Sequence, residues 1–199
     1  MLDKLIVATS NPFKLREIKA LLGSAFEIVS LKDCGITIDI PETGETFYDN
    51  ALIKAKTIFK MTQQPVLAED SGLEVFALNG SPGVKSARFA GEPCNDVNNN
   101  LKLLEAMRDC KNRDARYVSV IVVYLSKNEI ISFSGDTHGK ILKKTLGQEG
   151  FGYDPLFLSN HYSGTKTFAQ LTFDEKLKIS HRSNALEQFL GYWNSKNNN

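Results

Sequence analysis

The sequence is poor in the residues and segments that mark several classes of protein. It holds three cysteines, Cys34, Cys94 and Cys110, which lie far apart and form no C-x-x-C pair. This count argues against a disulfide framework and against a thiolate zinc site. No run approaches the roughly 20 apolar residues of a membrane-spanning helix, and Met1–Thr9 is too short for a signal peptide. We therefore expect a cytoplasmic protein that does not bind membranes.

There is also no excess of one charge. The chain has 24 basic and 23 acidic residues, for a formal net charge of +1. Proteins that bind nucleic acids usually carry a clear basic excess, so we expect no nucleic-acid partner. An anionic ligand would have to be held by a local site, because the overall field is weak.

What the sequence does contain fits a globular protein. It has 199 residues, of which 42% are hydrophobic, enough for one substantial core. We predict one domain over residues 1–194. The polar, asparagine-rich residues 195–199 are expected to form a flexible tail.

Short apolar runs alternate with helical patterns along the chain. Apolar runs predict strands at Leu5–Ala8, Phe26–Leu31, Pro65–Ala68, Tyr117–Leu125 and Ile130–Phe133. Caps and apolar spacing predict helices from Pro12, after Thr46, over Asn99–Arg108 and from His181. This order mixes αβ units with an antiparallel hairpin, which predicts an α/β fold with a mixed sheet flanked by helices.

The first candidate site follows the first predicted strand. Its residues are Thr9, Ser10, Asn11, Pro12, Phe13 and Lys14. A helix beginning here, with Asn11 as its cap, would offer free N–H groups and a partial positive charge to a phosphate. An ordinary capped helix is the alternative interpretation, since such caps are common. The segment is not a P-loop, because G-x-x-x-x-G-K-[ST] does not occur.

Carboxylates form the second candidate. Two segments supply them, one with Glu42, Glu45 and Asp49 and the other with Glu69 and Asp70. Magnesium takes one or two carboxylates together with substrate phosphates, and Glu69–Asp70 follows a predicted strand, where open sheets place their sites. Solvated acidic turns remain the alternative.

A lysine on the second helix is the third candidate. Helical spacing puts Lys54 between Phe47 and Ile58 in the apolar stripe, with Asn50 one turn earlier. A lysine there either extends its ammonium to water along the apolar surface or points it into a cleft that holds phosphates.

The last candidates lie in the C-terminal third. Gly147–Pro155 combines three glycines with Phe151, Tyr153 and Asp154, which could stack on a base and bind its edge. A tight turn before a strand is the alternative. A basic group follows, formed by Lys176, Lys178, His181 and Arg182; an arginine at a helix N-terminus opposes the helix dipole and so hints at another role.

Taken together, these segments resemble the inosine triphosphate pyrophosphatase family, also called the Ham1-like nucleotide pyrophosphatases. The matching blocks follow the family's order over nearly the whole chain: Ala8–Lys14, Glu42–Phe47, Asn50–Ala51, Lys54–Ala55, Asp70–Leu73, Pro82–Val84, Ser86–Gly91, Gly150–Pro155 and Ile179–Arg182. Glu69 departs from the pattern, because the family usually has aspartate there.

The resemblance implies a long mixed β-sheet flanked by helices, with two lobes and a central nucleotide-binding cleft. It implies a homodimer, a Mg²⁺ requirement, and hydrolysis of deaminated purine nucleoside triphosphates (ITP, dITP and XTP) to the monophosphate and pyrophosphate. It gives phosphate contacts to Ser10, Asn11, Lys14 and Lys54, and magnesium binding to Glu42 and Asp70. Asp70 would be the general base, Lys54 would assist catalysis, and Ser71 would line the same site.

The family pattern assigns recognition of the base to Phe151, Gly152, Tyr153, Asp154, Lys176, His181 and Arg182. Hypoxanthine and xanthine carry an oxygen at C6 where adenine carries an amino group. A site that donates hydrogen bonds to that oxygen would therefore reject ATP. Two rivals stay open: a Maf-like nucleotide pyrophosphatase acting on other nucleotides, and a non-catalytic module that binds nucleotides or RNA.

Overall fold

The computed structural model describes residues 3–162 and 165–197. Six strands form one sheet in the order β2-β1-β3-β4-β5-β6. They are β1 (Asp3–Val7), β2 (Phe26–Ser30), β3 (Val66–Val75), β4 (Asp114–Ser126), β5 (Glu129–Ile141) and β6 (Phe157–Ser159). The α-helices are α1 (Pro12–Leu22), α2 (Phe47–Thr62), α3 (Asp96–Ala106), α4 (Phe173–Leu177) and α5 (His181–Asn197). Among the described residues, none of the helices has both the length and the apolar character to cross a membrane.

The pairing of the strands confirms the predicted mixed sheet. β1 pairs in parallel with both β2 and β3, whereas β5 and β6 are antiparallel. Two residues join β4 to its neighbour β5, a length that connects antiparallel strands.

Local signals placed two helices correctly. Asn11 caps α1 by accepting hydrogen bonds from the N–H groups of Phe13 and Lys14, and Pro12 occupies the first turn. Thr46 and Asp49 form the predicted capping box of α2. These interactions are confined to a few neighbouring residues, so the sequence alone could reveal them.

Strand β3 departs from the prediction. The sequence predicted that β3 ends at Ala68, but the strand continues through Glu69 and Asp70 to Val75. Those two carboxylates therefore lie inside a strand and not at its end, and both are buried. Ion pairs and hydrogen bonds with distant residues offset the cost of burying them, which no local pattern could show.

Several other elements extend beyond their predicted boundaries. α3 begins at Asp96 and not at Asn99, and β5 continues past Phe133 to Ile141. α5 begins at His181 as predicted and extends to Asn197, so residues 195–197 of the expected tail are helical. The rest of that tail, Asn198 and Asn199, lies outside the described residues.

The chain divides into two compact units, and neither is a single stretch of sequence. Unit 1 comprises Met1–Asp70, Ser119–Gly135 and Arg182–Asn199; unit 2 comprises Ser71–Val118 and Asp136–His181. The single domain over 1–194 and the central cleft stay predictions.

In unit 1 the strands are covered by helices on both faces. Alternate residues of β1 belong to different apolar clusters: Ile6 packs with Ala55 and Ile58 of α2, whereas Leu5 packs with Ile18 of α1 and Phe189 of α5. This alternation follows from the two-residue period of a strand. Unit 2 has its own core, formed by side chains that include Leu73, Leu103, Tyr117, Phe157 and Phe168.

Candidate functional site

The loop after β1 carries the first group of candidate residues. Ser10, Pro12 and Phe13 are exposed, and the hydroxyl of Thr9 accepts a hydrogen bond from the N–H of Asn11 at 3.1 Å. Asn11 Oδ1 accepts hydrogen bonds from two N–H groups of the helix, at 2.9 and 3.2 Å. The side chain of Asn11 thus satisfies two of the donors that the sequence offered to a phosphate. Exposed donors at this end of α1 include the hydroxyl of Ser10.

Lys14 brings a positive charge to the same end of α1. Its ammonium lies 3.4 Å from Oε2 of Glu69, and its side chain is largely buried. Burial lowers the pKa of Lys14 below the usual lysine value, and Glu69 offsets part of that effect. The ammonium is therefore held by a carboxylate close to the start of α1.

Glu69 holds Lys14 from a buried position on β3. Its Oε1 accepts hydrogen bonds from the hydroxyl of Ser119 at 2.8 Å and from Nε of Arg182 at 3.0 Å. Arg182 in turn donates to Glu17 of α1. Within unit 1, one carboxylate therefore connects the start of α1, strand β4 and the start of α5.

Arg182 does not extend toward solvent. Only 1% of its side chain is exposed, and its ion pairs with Glu69 and Glu17 lie inside unit 1. These two carboxylates raise the pKa of Arg182 despite its burial, which by itself lowers the pKa. They also explain why an arginine is tolerated at the N-terminus of a helix, against the dipole preference.

Lys54 joins the two carboxylates that the sequence assigned to a metal. Its Nζ lies 2.9 Å from Oε1 of Glu42 and 3.2 Å from Oδ1 of Asp70. Burial lowers the pKa of Lys54, but Asp70 and Glu42 raise it by more. Burial raises the pKa of Asp70, and the ammonium groups of Lys54 and Lys14 only partly counter this. Lys54 therefore points into the carboxylate cluster and not into water.

Asn50 fixes the geometry between these carboxylates. Its Nδ2 donates to Oδ2 of Asp70 at 3.1 Å, and its Oδ1 accepts the N–H of Gly44 at 2.8 Å. A Cβ on Gly44 would lie 2.5 Å from Cβ of Asp49, so this approach requires glycine. The buried amide of Asn50 thus links the loop that carries Glu42 to the strand that carries Asp70.

The chemistry of this cluster suits a hard cation. Glu42 and Asp70 both reach the same ammonium, so their oxygens converge on one small region. Among residues 3–162 and 165–197, no three His, Cys, Asp or Glu side chains form a complete metal cage. Two carboxylates are nevertheless what Mg²⁺ usually takes from a protein when substrate phosphates supply the remaining ligands.

Unit 2 contains the residues that the sequence assigned to base recognition. Asp154 is buried, and its Oδ2 accepts hydrogen bonds from Nζ of Lys176 at 2.6 Å and from the N–H of Phe151 at 3.0 Å. The ammonium of Lys176 also lies 4.7 Å from the centre of the Phe151 ring. Asp154 therefore orients Lys176 and Phe151 together.

Backbone contacts fix the adjoining glycine-rich turn. The N–H of Gly152 donates to Asp96 at 2.7 Å, and its carbonyl accepts from Asn100 at 2.9 Å. The hydroxyl of Tyr153 donates to the carbonyl of Ser86 at 2.8 Å. These bonds tie the turn to α3 and to the segment after β3.

His181, the last residue of unit 2, packs on an aromatic ring. Its imidazole is stacked on Tyr117 with ring centres 4.7 Å apart and 9° between the planes. His181 and Lys176 are both buried in unit 2, whereas Arg182 is buried in unit 1.

The structure thus collects the predicted residues into two groups. Lys14, Glu42, Lys54 and Asp70 interact electrostatically within unit 1. Phe151, Asp154 and Lys176 are in contact within unit 2. Ser71 follows Asp70 on β3 and is half-buried.

Sequence reasoning missed several residues that hold these groups in place. Glu17, Ser119 and Tyr117 were given no role, although each contacts a predicted site residue. Glu17 lies three residues after Lys14 on α1, and Ser119 interrupts the apolar run of β4. Both positions can be noticed in the sequence, but the sequence does not show which residue either side chain will contact.

Comparison with known proteins places the chain among close relatives. The family model described as the Ham1 family matches residues 5–192. A Clostridium perfringens protein named dITP/XTP pyrophosphatase is 46% identical over 94% of this chain and 95% of its own length. The solved structure of the Staphylococcus aureus Ham1 protein is 36% identical with a TM-score of 0.88, covering 98% of this chain and all of that one. A Coxiella burnetii HAM1 protein is 38% identical with a TM-score of 0.89, at the same coverage of 98% and 100%.

Proposed function

Because this chain belongs to the Ham1 family, we propose that it hydrolyses the deaminated purine nucleoside triphosphates ITP, dITP and XTP to the monophosphate and pyrophosphate, removing them from the nucleotide pool. The name of the Clostridium perfringens relative supports this substrate class. The strongest structural support is the convergence of Glu42, Lys54 and Asp70 in unit 1, with Lys14 close enough to interact electrostatically. Such a mixture of carboxylates and ammonium groups suits a triphosphate bound with a cation.

We propose Mg²⁺ as the cofactor, held by Glu42 and Asp70. When bound, the ion offsets negative charge on the triphosphate and on the leaving pyrophosphate. Asn50 holds the two carboxylates in register by bonding to Asp70 and to the loop beside Glu42. The chain would contribute only these two carboxylates, and oxygens of phosphate and water would supply the remaining ligands.

The phosphates are assigned to the start of α1 and to two lysines. Ser10 and Asn11 offer short polar groups, and Lys14 and Lys54 offer positive charge. Lys14 has a lowered pKa because it is buried, and an approaching phosphate would favour its charged form. Thr9, Pro12 and Phe13 shape this segment.

Asp70 is assigned the role of general base. It accepts a proton from a water molecule whose oxygen attacks the α-phosphorus; the bond from that phosphorus to the bridging oxygen breaks, and pyrophosphate leaves. Burial raises the pKa of Asp70, which makes its carboxylate a stronger base than an ordinary aspartate. Lys54 donates to the other side of this carboxylate and fixes its orientation. Ser71, next on β3, lines the same site.

Binding of the purine base is assigned to unit 2. Phe151 provides a flat apolar face, and Lys176 and His181 provide donors for the oxygen at C6. Gly152, Tyr153 and Asp154 hold the turn in shape through the bonds described above. The amino group of adenine would face these donors without forming hydrogen bonds, so ATP is rejected.

Arg182 supports the site through Glu69. Its guanidinium is held by two buried carboxylates, and Glu69 in turn holds the ammonium of Lys14. Direct recognition of the base by Arg182, which the sequence predicts, stays a prediction.

A direct assay tests the function. The purified chain is incubated with Mg²⁺ and, separately, with ITP, XTP, dITP, GTP, ATP and dTTP, and pyrophosphate and orthophosphate are both measured. We expect rapid release of pyrophosphate from ITP, XTP and dITP, with GTP and ATP slower by orders of magnitude. Release mainly from dTTP would contradict the proposal and favour a Maf-like activity. Binding of ITP without turnover would favour a nucleotide sensor.

Two further properties belong to the proposal. The family resemblance supports a homodimer, and we also propose a cytoplasmic location. Light scattering of the purified chain at several concentrations tests the first. Fluorescence microscopy of the tagged full chain tests the second.

A further inference from the structure

Two side chains assigned to the base, Lys176 and His181, are linked to the same buried tyrosine. Tyr117 lies on β4, near the end of the part of that strand that belongs to unit 2. It is 7% exposed and belongs to the core of unit 2. Neither the sequence motifs nor the proposed mechanism gives it a role.

The ring of Tyr117 supports the imidazole of His181. The two rings are nearly parallel at 9° with their centres 4.7 Å apart. Phe157 contacts the tyrosine ring edge-on at 4.8 Å, and Phe168 lies parallel to it at 5.8 Å. Tyr117 is therefore fixed by the core, and it transmits that rigidity to His181.

The hydroxyl of Tyr117 reaches the other donor indirectly. It donates to Oδ1 of Asp154 at 3.3 Å, while Oδ2 of the same carboxylate binds Lys176 at 2.6 Å. Burial raises the pKa of Tyr117 well above its usual value, and the charge of Asp154 raises it further. The hydroxyl therefore stays protonated, and able to donate, at neutral pH. Its bond is longer than a typical O–H···O bond, so the ring stack is the stronger of the two links.

We propose that Tyr117 is a positioning residue for base specificity, which sets the separation between the donors of Lys176 and His181. This inference rests on the proposed function, because it concerns the side chains assigned to the base. Two donors distinguish a C6 oxygen from a C6 amino group only if both stay aimed at one point. Tyr117 contacts both His181 and Asp154, the carboxylate that binds Lys176.

Two substitutions of Tyr117 test its stack on His181 and its hydrogen bond to Asp154 separately. Tyr117→Phe keeps the stack on His181 and removes the bond to Asp154, so we expect kcat/KM for ITP to fall about threefold. Tyr117→Leu removes both links, and we expect a loss of about thirtyfold for ITP with little change for ATP. The loss should appear in KM more than in kcat, because the phosphate and carboxylate groups of unit 1 are unchanged.

Matched controls exclude a general loss of packing. Tyr124 is also buried on β4, but it lies in unit 1 and packs on Phe59 with ring centres 4.4 Å apart. Tyr124→Phe and Tyr124→Leu remove the same groups as the two test variants. We expect both controls to keep the wild-type ratio of kcat/KM for ITP to that for ATP, even where their melting temperatures fall.

The outcomes distinguish this inference from the proposed function. If the wild-type chain releases no pyrophosphate from ITP, the proposed function fails and the role of Tyr117 falls with it. If the wild type is active but Tyr117→Phe and Tyr117→Leu keep its ITP-to-ATP ratio, only the role of Tyr117 is overturned. If Tyr117→Leu fails to fold, Tyr117→Phe alone tests the proposal. A Tyr117→Phe protein with the wild-type KM for ITP and the wild-type ratio of kcat/KM for ITP to that for ATP would overturn it.

Discussion

Arg182 is bound to Glu69 by a hydrogen bond of 3.0 Å from Nε to Oε1, although 113 positions separate the two residues in the chain. Both side chains are buried, and Glu17 pairs with the same guanidinium. Burying charges is costly unless they are paired and hydrogen-bonded. The cluster therefore depends on each member, and Arg182 carries the charge that balances two carboxylates.

Replacing Arg182 should destabilise the protein strongly. Arg182→Met removes the guanidinium that binds two buried carboxylates, of which Glu69 keeps its ion pair with Lys14, and we expect unfolding in urea to show a loss of about 3–5 kcal/mol. Arg108→Met is the control, because Arg108 forms its ion pair with Glu105 at the exposed surface and should change stability little. Similar losses in the two variants would contradict the account of a buried cluster.

The role of Arg182 in base recognition can be tested separately. Arg182→Lys keeps the charge, and we expect it to retain the preference for ITP over ATP if Arg182 acts only through Glu69. A collapse of that preference in a stably folded Arg182→Lys protein would support direct contact with the base.

Local interactions were predictable from sequence, and distant ones were not. The Asn11 cap and the Thr46–Asp49 box involve residues at most three apart, and both were predicted correctly. The end of β3 was predicted wrongly, because Glu69 and Asp70 look like a loop until their distant partners are known. Lys54 was placed on the correct face of α2, but only the fold shows that this face meets carboxylates.

The same distinction between local and distant interactions applies to the residues of the candidate site. Family motifs identified the residues that carry charge, such as Lys14, Glu42 and Asp70. The sequence marked Asn50 as a neighbour of Lys54 and as part of a family block, but not as the partner of Asp70, and it gave no role to Ser119, which donates to Glu69. Each of the two acts on a residue at least 20 positions away. Sequence patterns report periodicity and local hydrogen bonds, so they cannot reveal pairs formed by folding.

Asp70→Asn should abolish most turnover and leave the fold intact. The amide is isosteric, but it cannot accept the proton of the attacking water, and we expect kcat to fall about 10²- to 10⁴-fold. Pyrophosphate release from ITP measures the loss, and the near-ultraviolet circular dichroism spectrum should match the wild type. A folded variant with near-normal kcat would show that Asp70 is not the base.

The dependence of kcat/KM on pH should be bell-shaped and narrower than for ordinary aspartate and lysine groups. Asp70 must be ionised to act as a base and to bind Mg²⁺, and at subsaturating Mg²⁺ its raised pKa moves the acid limb to higher pH. Lys14 must be charged to bind phosphate, and its lowered pKa moves the alkaline limb to lower pH. Activity should therefore be lost earlier on both sides of neutrality.

Glu69→Gln tests the assignment of the alkaline limb. Glu69 raises the pKa of Lys14, so removing its charge should move that limb further toward neutral pH and leave the acid limb in place. If the variant folds and its alkaline limb does not move, Lys14 is not the group responsible.

Lys54→Met should change the response of the protein to magnesium. In the wild type the ammonium balances Glu42 and Asp70; without it the two carboxylates repel each other. We expect a lower melting temperature without metal, a larger rise in melting temperature on adding MgCl₂, and a loss in kcat of about 10²-fold. Lys56→Met, an exposed position on the same helix, is the control. Equal magnesium-induced shifts in wild type and Lys54→Met would argue against metal binding by these carboxylates.

Gly150→Ala should impair recognition of the base without affecting the phosphate site. Gly150 has a φ of +80°, and a Cβ there would lie 2.1 Å from Oδ2 of Asp154, the oxygen that binds Lys176 and the N–H of Phe151. The carboxylate must move, so we expect KM for ITP to rise about tenfold while kcat changes little. Gly80→Ala supplies the control, because Gly80 has a φ of +83° with nothing within 4 Å of the added Cβ. Both variants carry the backbone strain of a positive φ, about 1–2 kcal/mol, so any difference between their KM values reports the displaced Asp154. Equal KM values for the two variants would mean that the position of Asp154 does not control binding of the base.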